Sequence, residues 1–166
     1  GKRHYTTAGS GGDLDTYKLA VERSVAITRP GALTALVVPH GLLGDWGARK
    51  LRRWVFGNAQ VLDILRFETG PELFPEIHAN LGVILLVLRK RKPTSDSAIR
   101  ISTAARTLKE LDEPNMSQLP LSLVAKATAH DMVPLIEAPA DVAFLERCLS
   151  FPRLGQWPET AFKPRR

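Results

Sequence analysis

Most of the residues that could carry out chemistry lack the partners that such chemistry needs. The four histidines (positions 4, 40, 78 and 130) are far apart and have no CxxC or HxxxH neighbours, so the sequence predicts no metal site. Gly9–Gly12 (GSGG) follows no strand and lacks GxGxxG or Walker spacing, which favours a flexible loop over a phosphate-binding loop. No GxSxG is present, and Cys148 lies in a helical pattern typical of a small core residue.

One loop carries a group suited to ligand binding. Gly70–Pro75 (GPELFP) lies between two predicted strands and places Phe74 beside a proline. Ligands of α/β sheets commonly bind at the edge from which such loops emerge. An aromatic ring there can stack on a planar ligand or a nucleic-acid base. The alternative is that Phe74 caps the hydrophobic core, and the residues alone leave both interpretations open.

Basic residues are concentrated in the first part of the chain. Residues 1–92 contain 14 Lys/Arg and 8 Asp/Glu, whereas residues 93–166 contain 9 of each, so the first part holds the whole net charge of +6. A segregated basic surface is typical of a protein with a polyanionic partner. The predicted contacts to a DNA backbone are Lys2, Arg3, Arg89, Lys90, Arg91 and Lys92. The alternative is an ordinary solvated face. A further basic run, Arg49–Arg53, is predicted to lie on the exposed side of a helix.

The elements that must position these residues alternate between helices and strands. Helical spacing predicts helices over residues 13–29 and 45–56, and apolar runs predict strands over 32–39, 60–67 and 81–88. Residues 81–88 (LGVILLVL) show no alternation, which predicts a strand inside a sheet and covered on both faces. Beyond residue 92 we expect an edge strand at 98–102 and helices near 104–111, 118–127 and 139–149. This order predicts an α/β layered fold.

Length and composition exclude several classes of protein. With 166 residues, 44% of them hydrophobic, the chain has the composition of a globular domain and not of a disordered tail. No apolar run is long enough to cross a membrane, and no segment resembles a signal peptide. The single cysteine cannot form an internal disulfide, which favours a reducing, cytoplasmic location.

An ordered set of motifs resembles one enzyme family. Asp15-x-Tyr17 is followed by Glu22-Arg23, by Arg29-Pro30-Gly31, by LVVP at 36–39, and by Leu73-Phe74-Pro75 before ILLVLRK. This set resembles the later half of N6-adenine DNA methyltransferases, and it is most similar to the single-chain type IIG restriction–modification enzymes and related phage-defence methylases. Segments beyond residue 92, such as FPRLGQW, resemble the connector to a DNA-recognition domain.

The resemblance implies a class I methyltransferase (Rossmann-like) sheet with a mostly helical C-terminal extension. Residues 32–38 would form its fifth strand, 60–67 its sixth, and 81–88 its antiparallel seventh strand, inserted between the other two. The cofactor would be S-adenosylmethionine, with Asp15 and Tyr17 near its pocket. Phe74 would stack on an adenine flipped out of double-stranded DNA.

The resemblance also implies that much of the enzyme lies outside this chain. The family's catalytic Asn/Asp-Pro-Pro-Tyr/Phe is absent, as are its glycine-rich cofactor loop and ribose-binding acid, and Ala20 stands where the family usually has Phe. We therefore expect residues 1–92 to be a partial catalytic domain that needs a preceding half. Residues 93–166 are expected to connect to a target-recognition domain. The isolated chain is expected to be inactive.

Two other interpretations remain open at this stage. The chain could be a non-catalytic basic α/β module that binds nucleic acid or another protein. It could also be a relative of small-molecule methyltransferases, in which case its basic clusters would be incidental.

Overall fold

A computed structural model describes residue 5, residues 15–68, residue 73, residues 82–127 and residues 130–152. The helices are α1 (Thr16–Ile27), α2 (Gly41–Gly44), α3 (Arg49–Asn58), α4 (Leu108–Asp112), α5 (Leu121–Ala127) and α6 (Pro139–Leu149), with a 3₁₀ turn at Trp46–Ala48. The strands are β1 (Leu33–Pro39), β2 (Gln60–Phe67), β3 (Val83–Arg89), β4 (Ala98–Ala105) and β5 (Met116–Pro120). The predicted α/β class is confirmed.

The strands form one five-stranded sheet in the order β1-β3-β2-β4-β5. Strand β3 is antiparallel to both neighbours: Leu86 pairs with Leu36 of β1 and with Ile64 of β2. Strands β1 and β2 are therefore parallel to each other, and β4 is parallel to β2. The predicted insertion of an antiparallel strand between the first two strands is confirmed.

Helices cover one face of the sheet. Ile84, Leu86 and Leu88 of β3 point to this face and are at most 3% exposed. They belong to a core that also includes Leu51 and Val55 of α3. Burying such side chains is the main favourable term in folding, at about 25 cal/mol per Å² of apolar surface. This face therefore anchors the helices that follow β1.

The opposite face of β1–β3–β2 is less covered. Val37, Leu85 and Leu65 lie side by side across the three strands. Val37 is 60% exposed and Leu33 is 57% exposed, whereas Leu65 and Leu85 are partly buried. Within the described part of the chain no strand pairs with the free edge of β1. The expectation that residues 81–88 are fully covered on both faces is thus met on one face only.

The sheet continues past residue 92. Strand β4 extends three residues beyond the predicted 98–102 and is flanked by β5, so among the described strands it is not at the edge. Residues 118–120, predicted as helical, belong to β5 because Ser117 and Leu119 alternate with exposed Gln118 as in a strand. The extension therefore begins with two strands and ends with helices, and the division at residue 92 stays a prediction.

The helix predicted over 45–56 is broken into shorter pieces. Residues 41–44 form α2, and Asp45 adopts an extended conformation (φ −62°, ψ 139°) before the 3₁₀ turn and α3. Such a break leaves carbonyl groups without helical partners. The buried side chain of Arg52 donates hydrogen bonds to two of the carbonyl groups at this break, as described below.

Candidate functional site

Three strands end at the same edge of the sheet, which we call the carboxyl edge. Strands β1, β2 and β4 run in one direction and are followed by His40, Glu68 and Arg106. Backbone bonds join these ends: His40 N–H donates to the Gly82 carbonyl (2.8 Å) and Glu68 N–H to the Ala105 carbonyl (2.9 Å). Ligands of α/β sheets bind outside the carboxyl ends of the strands, so this edge is the candidate site.

Tyr17 and Asp15, predicted near the cofactor pocket, lie at the start of α1. Asp15 precedes the helix, makes no side-chain cap, and pairs instead with Lys18 Nζ at 2.8 Å. Burial, together with the charges of Asp15 and Asp45, raises the pKa of the half-buried Tyr17 phenol to about 12, although nearby Arg52 opposes this. Tyr17 is therefore a neutral hydrogen-bonding group at physiological pH. Its neighbours Asp45 and Arg52 place it beside the segment that follows β1.

Arg52 organises that segment. Its side chain is only 2% exposed, and one guanidinium nitrogen, Nη1, donates to the carbonyls of Asp45 (2.8 Å) and Leu42 (3.1 Å). Nε and Nη2 both donate to the carbonyl of His130 at 3.3 Å. Burial lowers the pKa of Arg52, against the charges of Asp131 and Asp45. Arg52 therefore fixes the helix break and ties it to the segment before α6.

Two further buried polar groups lie at the carboxyl edge. Arg66, near the end of β2, is 8% exposed and donates from Nη1 to Glu137 Oε1 at 2.7 Å. Its Nε, like Nε2 of His40, has no hydrogen-bond partner among the described residues. Burial, and then the charge of Arg66, lower the pKa of His40, while Asp45 opposes them. His40 is thus a neutral imidazole. It packs against Gly82, and a Cβ atom added to Gly82 would lie 3.2 Å from the Cβ atom of His40.

A cavity of about 430 Å³ opens beside the ends of β2 and β4. Arg106 Nε and Nη2 donate to the two carboxylate oxygens of Glu68 at 2.7 and 3.1 Å, and this bond holds the pKa of Glu68 below its usual range. Other lining residues include Glu110, Glu113 and Glu137. Two of these four carboxylates are paired with arginines, Glu68 with Arg106 and Glu137 with Arg66. The Glu68–Arg106 pair lies where the chain leaves β2 toward Phe74.

The predicted DNA-backbone residues of β3 lie at the other end of the sheet. Val83, at the start of β3, pairs with Pro39 and Phe67, whereas Arg89 pairs with Leu33 and Gln60. Arg89 and Lys90 are partly buried, and Arg91 and Lys92 are exposed. The structure therefore separates this cluster from the carboxyl edge by the length of a strand. The other predicted residues of these sites, Lys2, Arg3 and Phe74, lie outside the described residues.

The described residues fit one wall of a site for S-adenosylmethionine, the cofactor that the resemblance implies. Tyr17 offers a half-buried ring and Asp15 an exposed carboxylate, both near the carboxyl end of β1. Strand β1 has a free edge on that side of the described sheet. The remaining walls would have to be built by chain across that edge. Among the described residues, no three His, Cys, Asp or Glu side chains gather as metal ligands.

Comparison with solved structures identifies the fold. The chain is similar to the EcoKI M protein, a type I restriction enzyme component (EC 2.1.1.72), with a TM-score of 0.55 and 14% identity over 82% of this chain and 42% of that one. It is also similar to a chain from a structural study of the type I restriction–modification system, with a TM-score of 0.55 and 13% identity over 84% of this chain and 38% of that one. The fold is that of a class I methyltransferase. This methyltransferase-like chain spans less than half the length of either structure.

A third solved structure is that of the type IIG restriction endonuclease BpuSI, with 16% identity over 93% of this chain and 14% of that one. Its TM-score of 0.45 is too low to support a conclusion. No protein-family model and no curated protein sequence matches this chain. No helix in the described ranges is long and apolar enough to span a membrane.

Sequence reasoning missed the buried arginines of the candidate site. The run Arg49–Arg53 was expected on an exposed helix side, but Arg52 is buried because it shares the face of Leu51 and Val55. The spacing of Ala48, Arg52 and Val55 was a readable signal of that face. Arg66 follows the apolar Ile64 in strand alternation, so its position on the covered face was readable as well.

Proposed function

We propose that this chain is the later, base-binding part of the catalytic domain of an S-adenosylmethionine-dependent adenine-N6 DNA methyltransferase of a restriction–modification or phage-defence system. One observation carries the proposal: β3 lies antiparallel between β1 and β2, so the chain bearing Leu73-Phe74-Pro75 leaves and re-enters the sheet at the carboxyl edge. The ordered motifs of the sequence support it. The type I structures above support restriction–modification, while the motifs favour the single-chain type IIG organisation.

The proposal assigns each partner a place. S-adenosylmethionine supplies an electrophilic methyl group, and Asp15 and Tyr17 would border its pocket. Double-stranded DNA would lie at the carboxyl edge with an adenine turned out toward Phe74. Turning the base out of the duplex costs a few kcal/mol, and stacking on the Phe74 ring would recover part of that cost. A preceding half would supply Asn/Asp-Pro-Pro-Tyr/Phe, and residues 93–166 would lead to a target-recognition domain. The protein would act in the cytoplasm, where it meets both DNA and cofactor.

Phe74 provides the sharpest test of this proposal. In the full-length protein that carries this chain, Phe74→Ala should weaken binding of a flipped adenine by about 1–3 kcal/mol, the range for one base–aromatic stack. The methylation site is first identified by sequencing methylated host DNA. The measurement then uses a duplex in which a fluorescent adenine analogue replaces the target adenine of that site. Emission should rise on binding to the wild type, and both emission and affinity should fall in the variant.

Phe144→Ala is the matched control. This substitution also removes a phenyl ring, but from a residue that is 69% exposed on α6. It should bind the analogue as the wild type does. Equal emission and affinity for Phe74→Ala and Phe144→Ala would remove Phe74 from the site. A wild type that binds DNA without any emission change would favour a non-catalytic nucleic-acid-binding module.

A further inference from the structure

The end of the sheet opposite the carboxyl edge carries a compact group of basic residues, which we call the basic end: Arg29, Arg89, Lys90, Arg91 and Lys92. Backbone bonds join its two segments. Gly31 N–H donates to the Lys90 carbonyl and Lys90 N–H to the Ala32 carbonyl, each at 2.8 Å. Gly31 permits this turn because its φ is +81°, a conformation that side chains disfavour. The turn holding Arg29 is thus fixed beside the exit of β3.

The basic end has no compensating acids in the described structure. None of its five side chains forms an ion pair with a carboxylate of a described residue, whereas Arg53, Arg66, Arg100 and Arg106 all do. Of the acids closest in sequence, Glu22 is 4% exposed within α1 and Asp96 accepts a hydrogen bond from Ser95. Arg91 Nε donates to Oε1 of Gln60 at 2.6 Å, but this amide carries no negative charge. Like charges held together without compensating negative charge repel one another, and a polyanion relieves that repulsion.

The basic end and the carboxyl edge lie at opposite ends of the strands. Seven residues of β3 separate the two ends, from Val83 to Arg89. At about 3.3 Å per residue this is roughly 20 Å. A duplex is stiff, with a persistence length of about 150 base pairs, and bending it sharply around the sheet costs several kcal/mol. A straight duplex that lies across the carboxyl edge, at right angles to the strands, therefore does not reach the basic end, whereas a duplex running along the strands would contact both ends.

We propose that the basic end binds the phosphate backbone of a second nucleic-acid segment, independently of sequence. The proposal rests on the proposed function only for what occupies the carboxyl edge. A continuous line of phosphates can meet four consecutive basic residues in any register, whereas an acidic protein would need carboxylates arranged to match them. Nucleic acid is therefore the partner that this cluster fits. Exposed Arg91 and Lys92 make the outermost contacts.

The test uses two double variants of the full-length protein. The test variant combines Arg91→Gln with Lys92→Gln, and the control variant combines Lys50→Gln with Lys109→Gln. All four residues are exposed. Affinity for a short duplex without the methylation site is measured by fluorescence anisotropy over a salt series. Losing two phosphate contacts should reduce the slope of log affinity against log salt by about two and weaken binding on the order of tenfold at moderate salt. At low salt the wild type should bind two duplexes per protein, and in the variant the second duplex should dissociate at a lower salt concentration.

The other outcomes are equally decisive. An unchanged slope, or an equal change in the control, would overturn the proposal. Unchanged DNA binding together with lost binding of polyglutamate would assign the basic end to an acidic protein. Methyl transfer to saturating host DNA should keep its rate in the variant, and a reduced rate would mean that the cluster serves the target duplex. If the wild type transfers no methyl group, the proposed function fails while the salt slopes still report on the basic end.

Discussion

At the scale of single residues, burial decides how the groups of the carboxyl edge hold their protons. Tyr17 keeps its phenol proton because burial and two acids, Asp15 and Asp45, disfavour a third negative charge, and His40 stays neutral because burial and Arg66 disfavour the imidazolium. This burial gives the edge two neutral hydrogen-bonding groups among its charged side chains. It also makes the stability of the protein depend on pH.

Tyr17→Phe tests this dependence. Between pH 10 and about 12 the unfolded chain loses the Tyr17 proton while the folded chain retains it, so stability is lost as the pH rises through that window. The raised pKa corresponds to about 3 kcal/mol at most. The free energy of unfolding should fall more steeply above pH 10 in the wild type than in Tyr17→Phe. Tyr5→Phe is the control, and equal slopes for wild type and Tyr17→Phe would contradict this reading.

At the scale of elements, Arg52 connects the break between α2 and α3 to the segment before α6. Arg52→Met keeps the apolar stem but removes the donors to the carbonyls of Leu42, Asp45 and His130. Leaving buried carbonyls unpaired costs about 1–3 kcal/mol each, offset where water enters, so the free energy of unfolding should fall by about 3 kcal/mol.

Denaturant unfolding measures this change. Lys50→Met, on the exposed side of the same helix, should alter the unfolding free energy by no more than about 0.5 kcal/mol. Equal unfolding free energies for the two variants would contradict the prediction that the hydrogen bonds of Arg52 stabilise this break.

The strands and the interleaved β3 were predictable because apolar runs and turn residues mark them in the sequence, and the resemblance supplied their order. The fate of individual basic residues was less readable, since Arg52 and Arg53 are adjacent in sequence but one is buried and the other is exposed. Strand β5 was missed because five residues ending at Pro120 give too short an alternation to exclude a helix. The position of Arg89–Lys92 away from the carboxyl edge required the pairing register, which composition does not contain.

At the scale of the whole molecule, the sheet is asymmetric. One face is packed by helices, whereas β1 has a free edge in the described structure and exposes Leu33 and Val37 on the other face. Unpaired edges and apolar faces favour association with further chain. Under the proposed function, a preceding half that pairs with β1 and covers Val37 would complete the sheet and form the remaining walls of a cofactor pocket.

Methyl transfer tests the central claim most directly. The full-length protein is incubated with unmodified host DNA and S-adenosylmethionine labelled in its methyl group, and the DNA is digested to nucleosides. We predict that the label is recovered as N6-methyladenine and that the 166-residue chain alone transfers none. Label recovered in cytosine, label transferred by the isolated chain, or no transfer by the full-length protein would contradict the account.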